Sequence, residues 1–441
     1  MLALLFALLT LLACHGPTDD DGFRPGNEDT ATVTETDPAI DLSGGEGLKV
    51  LFVTIDTLRK DQVVPGIMPR LANRMNTSGL NLVLHQNVGS WTAATMTAVM
   101  TGQYPVNMGE SVVYGNNGGW GIPDEVATIA ELLGDAGYTS YYDVSNGWAG
   151  STSNLLQGYD TYLEKENDED AGFGWAPEQI VRVQNWMNAQ TGLSYAHIHL
   201  MDTHDEHDRL DESCEADVLA LAAECPFDVV NEKTDQLLNL SDTWSDEEYL
   251  ACSAALAAAH NCEATLLDRE LDAFLTAVEA RGDTLIVIAT DHGEGHGEHS
   301  FNHNKDLFQP VTAGVAWLSW PGMVQGQEVT MSTAQIDLVP TILEILGIET
   351  DVTFDGVSIA HVLLNRIIAS FWCRGGGDQS HAAVSYDGKL HLIVTPEGQE
   401  ELYDPTQDPL EIGTPFNEDS PQALLDATAD QAVVTQGYCA E

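Results

Sequence analysis

Three apolar runs that each end in titratable side chains constrain the fold of this chain most strongly. The clearest run is TLIVIAT, at 284–290, which Asp291 and His292 follow directly. It holds only apolar or β-branched residues and lacks Gly and Pro, which is typical of a strand buried on both faces. The runs LKVLFVTI and LSYAHIHL end in the same way, at Asp56 and at residues 201–204. Helical segments separate the runs, so their order predicts a mostly parallel α/β sheet.

The polar residues at these strand ends predict a metal site. The carboxyl ends of parallel strands meet at one edge of a sheet, where α/β folds bind their ligands. Asp56, Asp291 and His292 offer carboxylate oxygens and an imidazole nitrogen, which suit a divalent metal ion. A solvated, histidine-rich loop is the alternative for the segment after Asp291, but the strands in front of these residues favour a ligand site.

A short helix predicted within residues 90–105 carries a candidate nucleophile. The apolar spacing of SWTAATMTAVMTGQYP places Thr92 at or just before the first helical turn. A helix N-terminus presents free N–H groups and a partial positive charge, which favour an anion beside Thr92. Because Thr is also a common N-cap residue, its position alone fits a purely structural role as well.

The charge of the chain excludes one class of partner. Its 441 residues include 69 acidic and 16 basic ones, which gives a formal net charge of −53. Such a surface repels polyanions, so we expect no binding of nucleic acid. An anionic substrate would need a local positive centre, such as a bound cation.

The N-terminal residues predict export. Residues 1–14 form an apolar run that is too short to span a bilayer as a mature helix and is typical of a secretory signal. Its end, Leu-Ala-Cys, resembles the lipobox of bacterial lipoproteins, which implies cleavage before Cys14 and lipidation of its thiol, although Lys and Arg are missing before the run. Residues 15–47 are acidic and poor in large apolar side chains, which is typical of a flexible tether. We expect a protein anchored by lipid in a bacterial cell envelope, at the outer membrane or cell surface; an uncleaved hydrophobic N-terminus is the alternative.

The remaining cysteines agree with export. Six of them follow Cys14, at positions 214, 225, 252, 262, 373 and 439. An even number in an exported chain suggests disulfides, with buried free thiols as the alternative. If Cys252 and Cys262 share a helix, they stand about 15 Å apart and cannot pair with each other. We expect three disulfides, one of them joining Cys373 to Cys439 in the C-terminal part.

Several motifs, taken in chain order, together resemble the sulfatase family of the alkaline phosphatase superfamily. LFVTIDTLRKD, with Asp56, resembles the first metal-binding strand of that family, and WTAATMTAVMTGQYP, with Thr92, resembles its nucleophile helix. QIDLVPTILEILGI, FDGVSI and EELYDPTQDPLE resemble its C-terminal signatures. Each motif alone is weak, but their joint occurrence in order is specific. The resemblance extends from Leu48 to about Asn417.

Three further segments resemble later parts of the family's active site. HLMDTHDEH places His204 in an internal element, and TDHGEGHGEH carries Asp291 and His292 with His299 behind them. HNKDLFQP, with its His and Lys at 303 and 305, resembles a segment that lines the anion pocket. The resemblance therefore implies that these side chains stabilise anionic oxygens or protonate a leaving group. The catalytic candidates are Thr92, His204, His299, His303 and Lys305.

The resemblance also implies a fold and a metal. We expect an alkaline-phosphatase-like α/β fold: a mixed, mostly parallel sheet flanked by helices, with a small C-terminal α+β subdomain. The catalytic domain would span 48–354, with a disulfide-bearing insertion at 205–262, and the subdomain 355–441. One divalent ion would be bound by Asp56, Thr92, Asp291 and His292. Its imidazole ligand makes Mn and Zn candidates alongside the Ca that is usual in sulfatases with an amide ligand.

Thr92 separates this chain from sulfatases proper. Those enzymes have at this position a Cys or Ser that is oxidised to formylglycine, and Thr cannot give that aldehyde, so no formylglycine is expected. The Pro, Ser and Arg that usually follow are replaced by Ala94, Thr95 and Met96, and Thr57 stands where a second Asp is usual. Members of the wider superfamily with a Thr nucleophile include phosphodiesterases and phosphoglycerol transferases. His197 and His199 lie inside a strand and are expected in the core or behind the ligands.

The leading functional hypothesis is a metal-dependent hydrolase of sulfate- or phosphate-type esters with Thr92 as nucleophile. Its substrate would be an anionic ester of a small molecule, glycan or lipid. One alternative is a transferase that moves a phospho-group to an acceptor alcohol, and another is a surface binding protein that keeps the fold without catalysis. The Thr favours phosphorus, because a phosphorylated Thr can be opened by metal-activated water or an alcohol.

Overall fold

The computed structural model describes residues 40–108, 121–165, 174–234, 241–303, 307–323, 326–362, 366–372, 381–386, 388–394, 400–413 and 415. The apolar N-terminus with Cys14, the acidic tether up to residue 39, Lys305, and Cys373 and Cys439 lie outside these residues. The expectations for those segments therefore stay predictions.

A mixed eight-stranded sheet forms the centre of the fold. Its strands are β1 Lys49–Ile55, β2 Leu80–Gln86, β3 Thr139–Val144, β4 Thr161–Glu164, β5 Ser194–Leu200, β6 Thr284–Thr290, β7 Ala316–Ser319 and β8 Gln327–Ala334. The spatial order is β4-β3-β5-β1-β6-β7-β2-β8. Five of the seven neighbouring pairs are parallel, and the two pairs that involve β7 are antiparallel. The expected mixed, mostly parallel sheet is confirmed.

Helices cover both faces of this sheet. They are α1 Pro69–Thr77, α2 Thr92–Thr101, α3 Ile129–Asp135, α4 Ala176–Ala189, α5 Glu215–Leu221, α6 Asp246–Glu279, α7 Gln309–Thr312 and α8 Leu338–Leu346. Alternate strand residues point to opposite faces, so Phe52 and Val287 pack with α2, α3 and α8 while Val53 and Ile288 pack with α1, α4 and α6. All seven residues of β6 are buried, because helices lie on both sides of it. Within the described residues, no helix combines the length and apolarity needed to cross a membrane.

A second, four-stranded antiparallel sheet lies in the C-terminal part. Its strands are β9 Ile367–Trp372, β10 His381–Tyr386, β11 Leu390–Val394 and β12 Glu400–Tyr403. They follow the order β12-β11-β10-β9, and β10 and β11 pair as an antiparallel hairpin. Gly388 has φ of 61°, which a residue without Cβ adopts at little cost. Ile368 and Phe371 of this sheet pack against Ala94 and Ala98, so the small sheet supports the helix that begins at Thr92.

Helix α3 is shorter than its sequence pattern predicts. The amphipathic pattern begins at Glu125, but the helix begins at Ile129 because Thr128 caps it. The Thr128 side chain accepts a hydrogen bond from the Glu131 amide, and the Glu131 side chain accepts one from the Thr128 amide. This reciprocal capping box fixes the first turn four residues later than the apolar periodicity alone indicates.

Two disulfides join the α5 region to α6. They link Cys214 to Cys262 and Cys225 to Cys252. Cys252 and Cys262 share α6, which is 34 residues long, and each has a different partner, as their helical spacing requires. The same helix continues past the cysteines, where Asp268 accepts hydrogen bonds from the backbone of α1. The two disulfides therefore attach the segment before α6 to a helix that belongs to the main core.

Replacement of Cys214 and Cys262 by Ser is expected to lower the free energy of unfolding by about 2–4 kcal/mol, because their bridge restricts the unfolded chain. The loop that this bridge closes is 48 residues long, against 27 for the second bridge. Urea denaturation of the full chain measures the change. The matched variant, with Ser at Cys225 and Cys252, should lose slightly less because its loop is shorter. An unchanged free energy for both variants would contradict the expectation.

Candidate active site

The predicted site residues converge at the carboxyl edge of the main sheet. Asp56 follows β1, and Asp291 and His292 follow β6. The two strands are parallel neighbours with Ile55 opposite Thr290, so the residues after them emerge side by side. Thr92 is the first residue of α2, as its sequence context predicts.

Three potential ligand atoms surround one point of this edge. His292 Nε2 lies 3.6 Å from Asp56 Oδ1 and 3.5 Å from Asp291 Oδ2. Both carboxylate oxygens are buried, and among the described residues neither has a hydrogen-bond partner. A buried acceptor without a partner costs about 1–3 kcal/mol, so two such oxygens beside an imidazole require a compensating group. A divalent cation fits this donor set, because carboxylate oxygen and imidazole nitrogen both bind such ions.

The hydrogen bonding of His292 directs its lone pair toward the two carboxylates. Its Nδ1 lies 2.9 Å from the carbonyl oxygen of Gly293. A carbonyl oxygen can only accept, so we assign the hydrogen to Nδ1 and the lone pair to Nε2. Burial, followed by the charge of His303, lowers the pKa of His292 to about 3, so the ring is neutral at physiological pH. A neutral imidazole fixed in this way is the usual form of a metal-binding histidine.

The two carboxyl groups of the site oppose each other electrostatically. Burial and the negative charge of Asp56 raise the pKa of Asp291 well above its usual value. Burial acts in the same direction at Asp56, but the charge of His204 and the hydrogen bond from His199 outweigh it and lower the pKa of Asp56. A bound cation would favour ionisation of both groups at once.

Thr92 lies beside these residues with a little of its surface exposed. Its Oγ1 is 3.4 Å from both Asp56 Oδ2 and His292 Nε2. The hydroxyl thus adjoins one potential ligand atom, His292 Nε2, and the second carboxylate oxygen of Asp56, and its helix N-terminus favours an anion there. This geometry suits a hydroxyl that becomes a nucleophile when a nearby cation stabilises its alkoxide.

Asn146 is a site residue that the sequence reasoning missed. Its Nδ2 donates to Asp56 Oδ2 at 3.0 Å and lies 3.4 Å from Thr92 Oγ1. Its Oδ1 accepts a hydrogen bond from the amide of Trp148. Asn146 follows β3, and a polar residue behind a fourth strand was the signal that could have found it.

His199 also lies at the site, although it sits within β5. Its Nε2 is 3.2 Å from Asp56 Oδ2. One ligand atom each from His199, Asp56 and Asp291 lie within 4.8 Å of one another. His199 is fully buried, as expected for a residue in the core or behind the ligands. The structure adds a direct contact between its ring and the predicted ligand Asp56.

Two of the predicted catalytic histidines lie next to the ligand residues. The ring centroid of His303 is 4.4 Å from that of His292, and the ring of His204 is 5.7 Å from His303. Burial lowers the pKa of both, but neighbouring carboxylates outweigh it. Asp205 and Asp56 raise the pKa of His204 well above its usual value, and Glu294 raises that of His303. Both rings can therefore carry a positive charge where an anionic ester would bind.

The structure does not bring His299 to this site. Its ring stacks on Phe308 with centroids 3.4 Å apart, and its Nε2 lies 2.9 Å from the carbonyl oxygen of Leu410. The chain turns at Gly297, where φ is 96°, and this carries His299 toward the C-terminal part. Its position near Asp291 in sequence therefore does not make it a neighbour in space. Lys305 lies outside the described residues.

Comparison with known proteins identifies the family. The sequence model of the family described as Sulfatase matches residues 49–348, which is more than half of the chain. The chain belongs to the sulfatase family. The resemblance seen in the motifs is thus confirmed.

Two curated relatives each match about a third of this chain. A sulfatase from Formosa agariphila is 26% identical over 146 residues, which is 33% of this chain and 28% of the relative. A choline-sulfatase from Rhizobium meliloti is 26% identical over 153 residues, or 32% of this chain and 29% of the relative. The match thus spans less than a third of either relative's length, so the activity of this chain has to be argued from its own residues.

Solved structures share the fold over most of this chain. A phosphonate monoester hydrolase from Silicibacter pomeroyi has a TM-score of 0.65 at 18% identity, covering 89% of this chain and 96% of its own. A lipoteichoic acid synthase from Listeria monocytogenes has a TM-score of 0.60 at 14% identity, covering 90% and 93%. These likenesses confirm the alkaline-phosphatase-like fold.

Proposed function

We propose that the protein is a metal-dependent hydrolase of anionic esters that uses Thr92 as its nucleophile. The observation that carries the proposal is the position of Thr92 Oγ1, 3.4 Å from both Asp56 and His292. These two residues and Asp291 direct one nitrogen lone pair and two buried oxygens, which lack a hydrogen-bond partner in the described part of the chain, at a common point. The family, the named activities of the relatives and a hydroxyl beside a potential cation site support the same chemistry.

The proposed resident group is one divalent ion held by Asp56, Asp291 and His292 with the hydroxyl of Thr92. When bound, it would lower the pKa of that hydroxyl and neutralise charge on the ester. The mixed oxygen and nitrogen donors suit Mn or Zn at least as well as Ca. We propose no formylglycine, because Thr at position 92 cannot be oxidised to that aldehyde.

The chain's own residues supply the remaining parts of the reaction. Thr92 first loses its hydroxyl hydrogen to solvent water, and its Oγ1 then attacks the central atom of the ester in line with the leaving oxygen, so that the bond to that oxygen breaks. Charged His204 and His303 stabilise the anionic oxygens, and one of them gives its hydrogen to the leaving alkoxide. The Nδ2 group of Asn146, 3.4 Å from Thr92 Oγ1, is placed to donate to an oxygen of the bound ester. Water then attacks the covalent intermediate, the bond to Thr92 Oγ1 breaks and restores its alkoxide, and one hydrogen of the water returns to the histidine that protonated the leaving group.

The identity of the nucleophile favours phosphorus over sulfur as the central atom. A formylglycine enzyme releases sulfate by collapse of a hemiacetal, without attack at sulfur. Thr92 has no such route, so a sulfated Thr92 would need a second attack at sulfur. A phosphorylated Thr92 can be opened by water or by an acceptor alcohol, as a two-step covalent mechanism requires. We therefore propose that phosphodiester or phosphonate esters react faster than sulfate esters.

We expect a phosphate adduct on Thr92 when turnover of a phosphodiester is stopped by acid. The measurement is mass spectrometry of the peptide that contains Thr92, after a panel of aryl sulfate, phosphate monoester, phosphodiester and phosphonate substrates has been assayed with several metals. A faster sulfate ester with no adduct would overturn the preference for phosphorus. A new product on an added alcohol would identify a transferase. No turnover of any ester with any metal would favour a binding protein that keeps the fold.

A further inference from the structure

A buried series of polar side chains runs from the site into the main sheet. Five hydrogen bonds connect six residues, here called the polar file: Tyr195, Tyr159, His197, Thr54, His199 and Asp56. Successive donor–acceptor distances are 3.0, 2.8, 3.0, 2.9 and 3.2 Å. Alternate residues of β5 point to one face, which places Tyr195, His197 and His199 in a row. Thr54 of β1 lies opposite His199 and links the two rings.

We propose that the polar file is a directed hydrogen-bond chain in which every hydrogen points toward Asp56. In this arrangement His199 is a positioning residue that orients the Asp56 carboxylate, and it is not itself a metal ligand. The inference rests on the metal site proposed above, because it concerns how one of its ligands is held. The inference goes beyond the proposed metal site because it assigns hydrogen positions to His197 and His199. It also gives Thr54 and Tyr159 a role in the chain of hydrogen bonds.

The direction of the chain follows from its end at the site. An ionised Asp56 only accepts hydrogen bonds, so His199 Nε2 carries a hydrogen and His199 Nδ1 accepts one. Thr54 has a single hydroxyl hydrogen, and His199 Nδ1 at 2.9 Å is a closer acceptor for it than the carbonyl oxygen of Ile198 at 3.5 Å, so Thr54 accepts from His197 Nε2. Burial and the neighbouring His199 hold the pKa of His197 well below its usual value, so this ring carries only one hydrogen.

The far end of the chain gives the same direction independently. With the hydrogen of His197 on Nε2, its Nδ1 accepts from Tyr159, which in turn accepts from Tyr195. In the reverse direction the Tyr195 hydroxyl hydrogen would need an acceptor. Among the described residues Tyr159 is the one recorded partner of that hydroxyl, and Tyr195 is fully buried. The reverse direction therefore leaves a buried donor unsatisfied, which is costly.

The two oxygens of Asp56 show what this direction achieves. Oδ2 lies 3.2 Å from His199 Nε2 and 3.0 Å from Asn146 Nδ2, so both side chains can donate to it. Oδ1 has no partner among the described residues and lies 3.6 Å from His292 Nε2. The file thus anchors one oxygen and leaves the other for a cation. His199 and His292 carry their hydrogens on opposite nitrogens, and only His292 directs a lone pair into the site.

Nitrogen NMR of the full chain with ¹⁵N-labelled histidine tests the hydrogen positions directly. We expect His197 and His199 to carry hydrogen on Nε2 and His292 to carry it on Nδ1. On addition of Zn²⁺, the Nε2 signal of His292 should shift strongly, while His199 keeps its Nε2 hydrogen. A hydrogen on Nδ1 of His199, or loss of its Nε2 hydrogen with zinc, would overturn the proposal and make His199 a ligand.

Paired variants of Thr54 test the effect on the metal. Thr54→Val removes the hydroxyl and keeps the shape, so we expect affinity for Zn²⁺ to fall about 10- to 100-fold. Thr54→Ser keeps the hydroxyl and should bind zinc within a few-fold of the native chain. Thermal unfolding of both variants separates a general loss of structure from a local effect. Unchanged zinc affinity in a folded Val variant would contradict the positioning role.

These measurements do not depend on turnover. If the protein hydrolyses no ester yet shows the expected tautomers and the zinc affinities of the paired variants, the proposed function fails and the polar file stands. If esters are turned over through Thr92 but His199 carries its hydrogen on Nδ1, the function stands and the directed chain fails. Should Thr54→Val not fold, the NMR measurement on the native chain decides alone.

Discussion

Thr92→Ala is expected to lower kcat for the best ester substrate by at least about 10³-fold, because removal of a covalent nucleophile typically costs that much or more. The Thr92 hydroxyl lies 3.4 Å from Asp56 Oδ2 and from His292 Nε2, and Ala removes it without adding bulk. No phosphate adduct should form on the variant. Steady-state kinetics with a phosphodiester and mass spectrometry of the Thr92 peptide measure both effects.

The matched control is Thr97→Ala on the same helix. Thr97 is also buried, and its hydroxyl donates to the carbonyl oxygen of Ala93 within α2. This variant should retain kcat within a few-fold, because it leaves the site atoms in place. Robust arylsulfatase activity that survives Thr92→Ala would show that water attacks the ester directly, and the assignment of the nucleophile would then be wrong.

The parts of the site that depend on local structure could be predicted from the sequence. A run such as TLIVIAT is a strand by composition alone, and all seven of its residues form β6. The residues that follow parallel strands must emerge at one edge, so Asp56, Asp291 and His292 could be placed together before their distances were known. The start of α2 at Thr92 follows from helix spacing in the same way.

Residues whose role depends on tertiary packing were not predictable in this way. Asn146 reaches Asp56 and Thr92 across the sheet, and its place after a strand, the one signal in the sequence, does not distinguish it from other polar loop residues. His199 lies within an apolar strand, where burial is the usual explanation, and only the strand register brings it beside Asp56. The contacts of His299 with Phe308 and Leu410 likewise depend on tertiary packing, which its position in the sequence near Asp291 does not reveal.

The electrostatics of the site show why a bound cation would stabilise it. Asp56 and Asp291 meet with buried oxygens, and the negative charge of Asp56 helps to raise the pKa of Asp291. The formal charge of the whole chain is −53, so its surface does not attract an anionic ester. Local positive charge at His204 and His303, together with a bound cation, would reverse this at the site.

Asp291→Asn is expected to reduce affinity for the divalent ion by at least about 100-fold, because loss of even an outer hydrogen-bond partner of a ligand costs about 10- to 100-fold. The Asn side chain can still accept the hydrogen bonds that Asp291 Oδ1 receives from the amides of Thr57 and His292, so the local backbone should stay in place. Metal content after dialysis and kcat for the phosphodiester should fall together. Asp268→Asn, a buried carboxylate change on α6, is the matched control and should keep its metal. Full metal content and activity in Asp291→Asn would rule out the proposed ligand set.

When no metal is present, Asp291→Asn should be more stable than the native chain at pH values above the range in which Asp291 is protonated. The pKa of Asp291 is raised in the folded protein by burial and by Asp56, so its protonated form is favoured there. A raised carboxyl pKa gives a contribution to stability that is complete below the unfolded value of 3.8 and is lost as pH rises through the folded value. The Tm of the metal-free native chain should therefore fall across that window relative to Asp291→Asn, which has no such carboxyl.

Added metal should raise the Tm of the native chain and leave the Tm of the variant nearly unchanged, since an ion that binds only the folded state stabilises it. Equal pH profiles for the two metal-free proteins would contradict the coupling between Asp56 and Asp291.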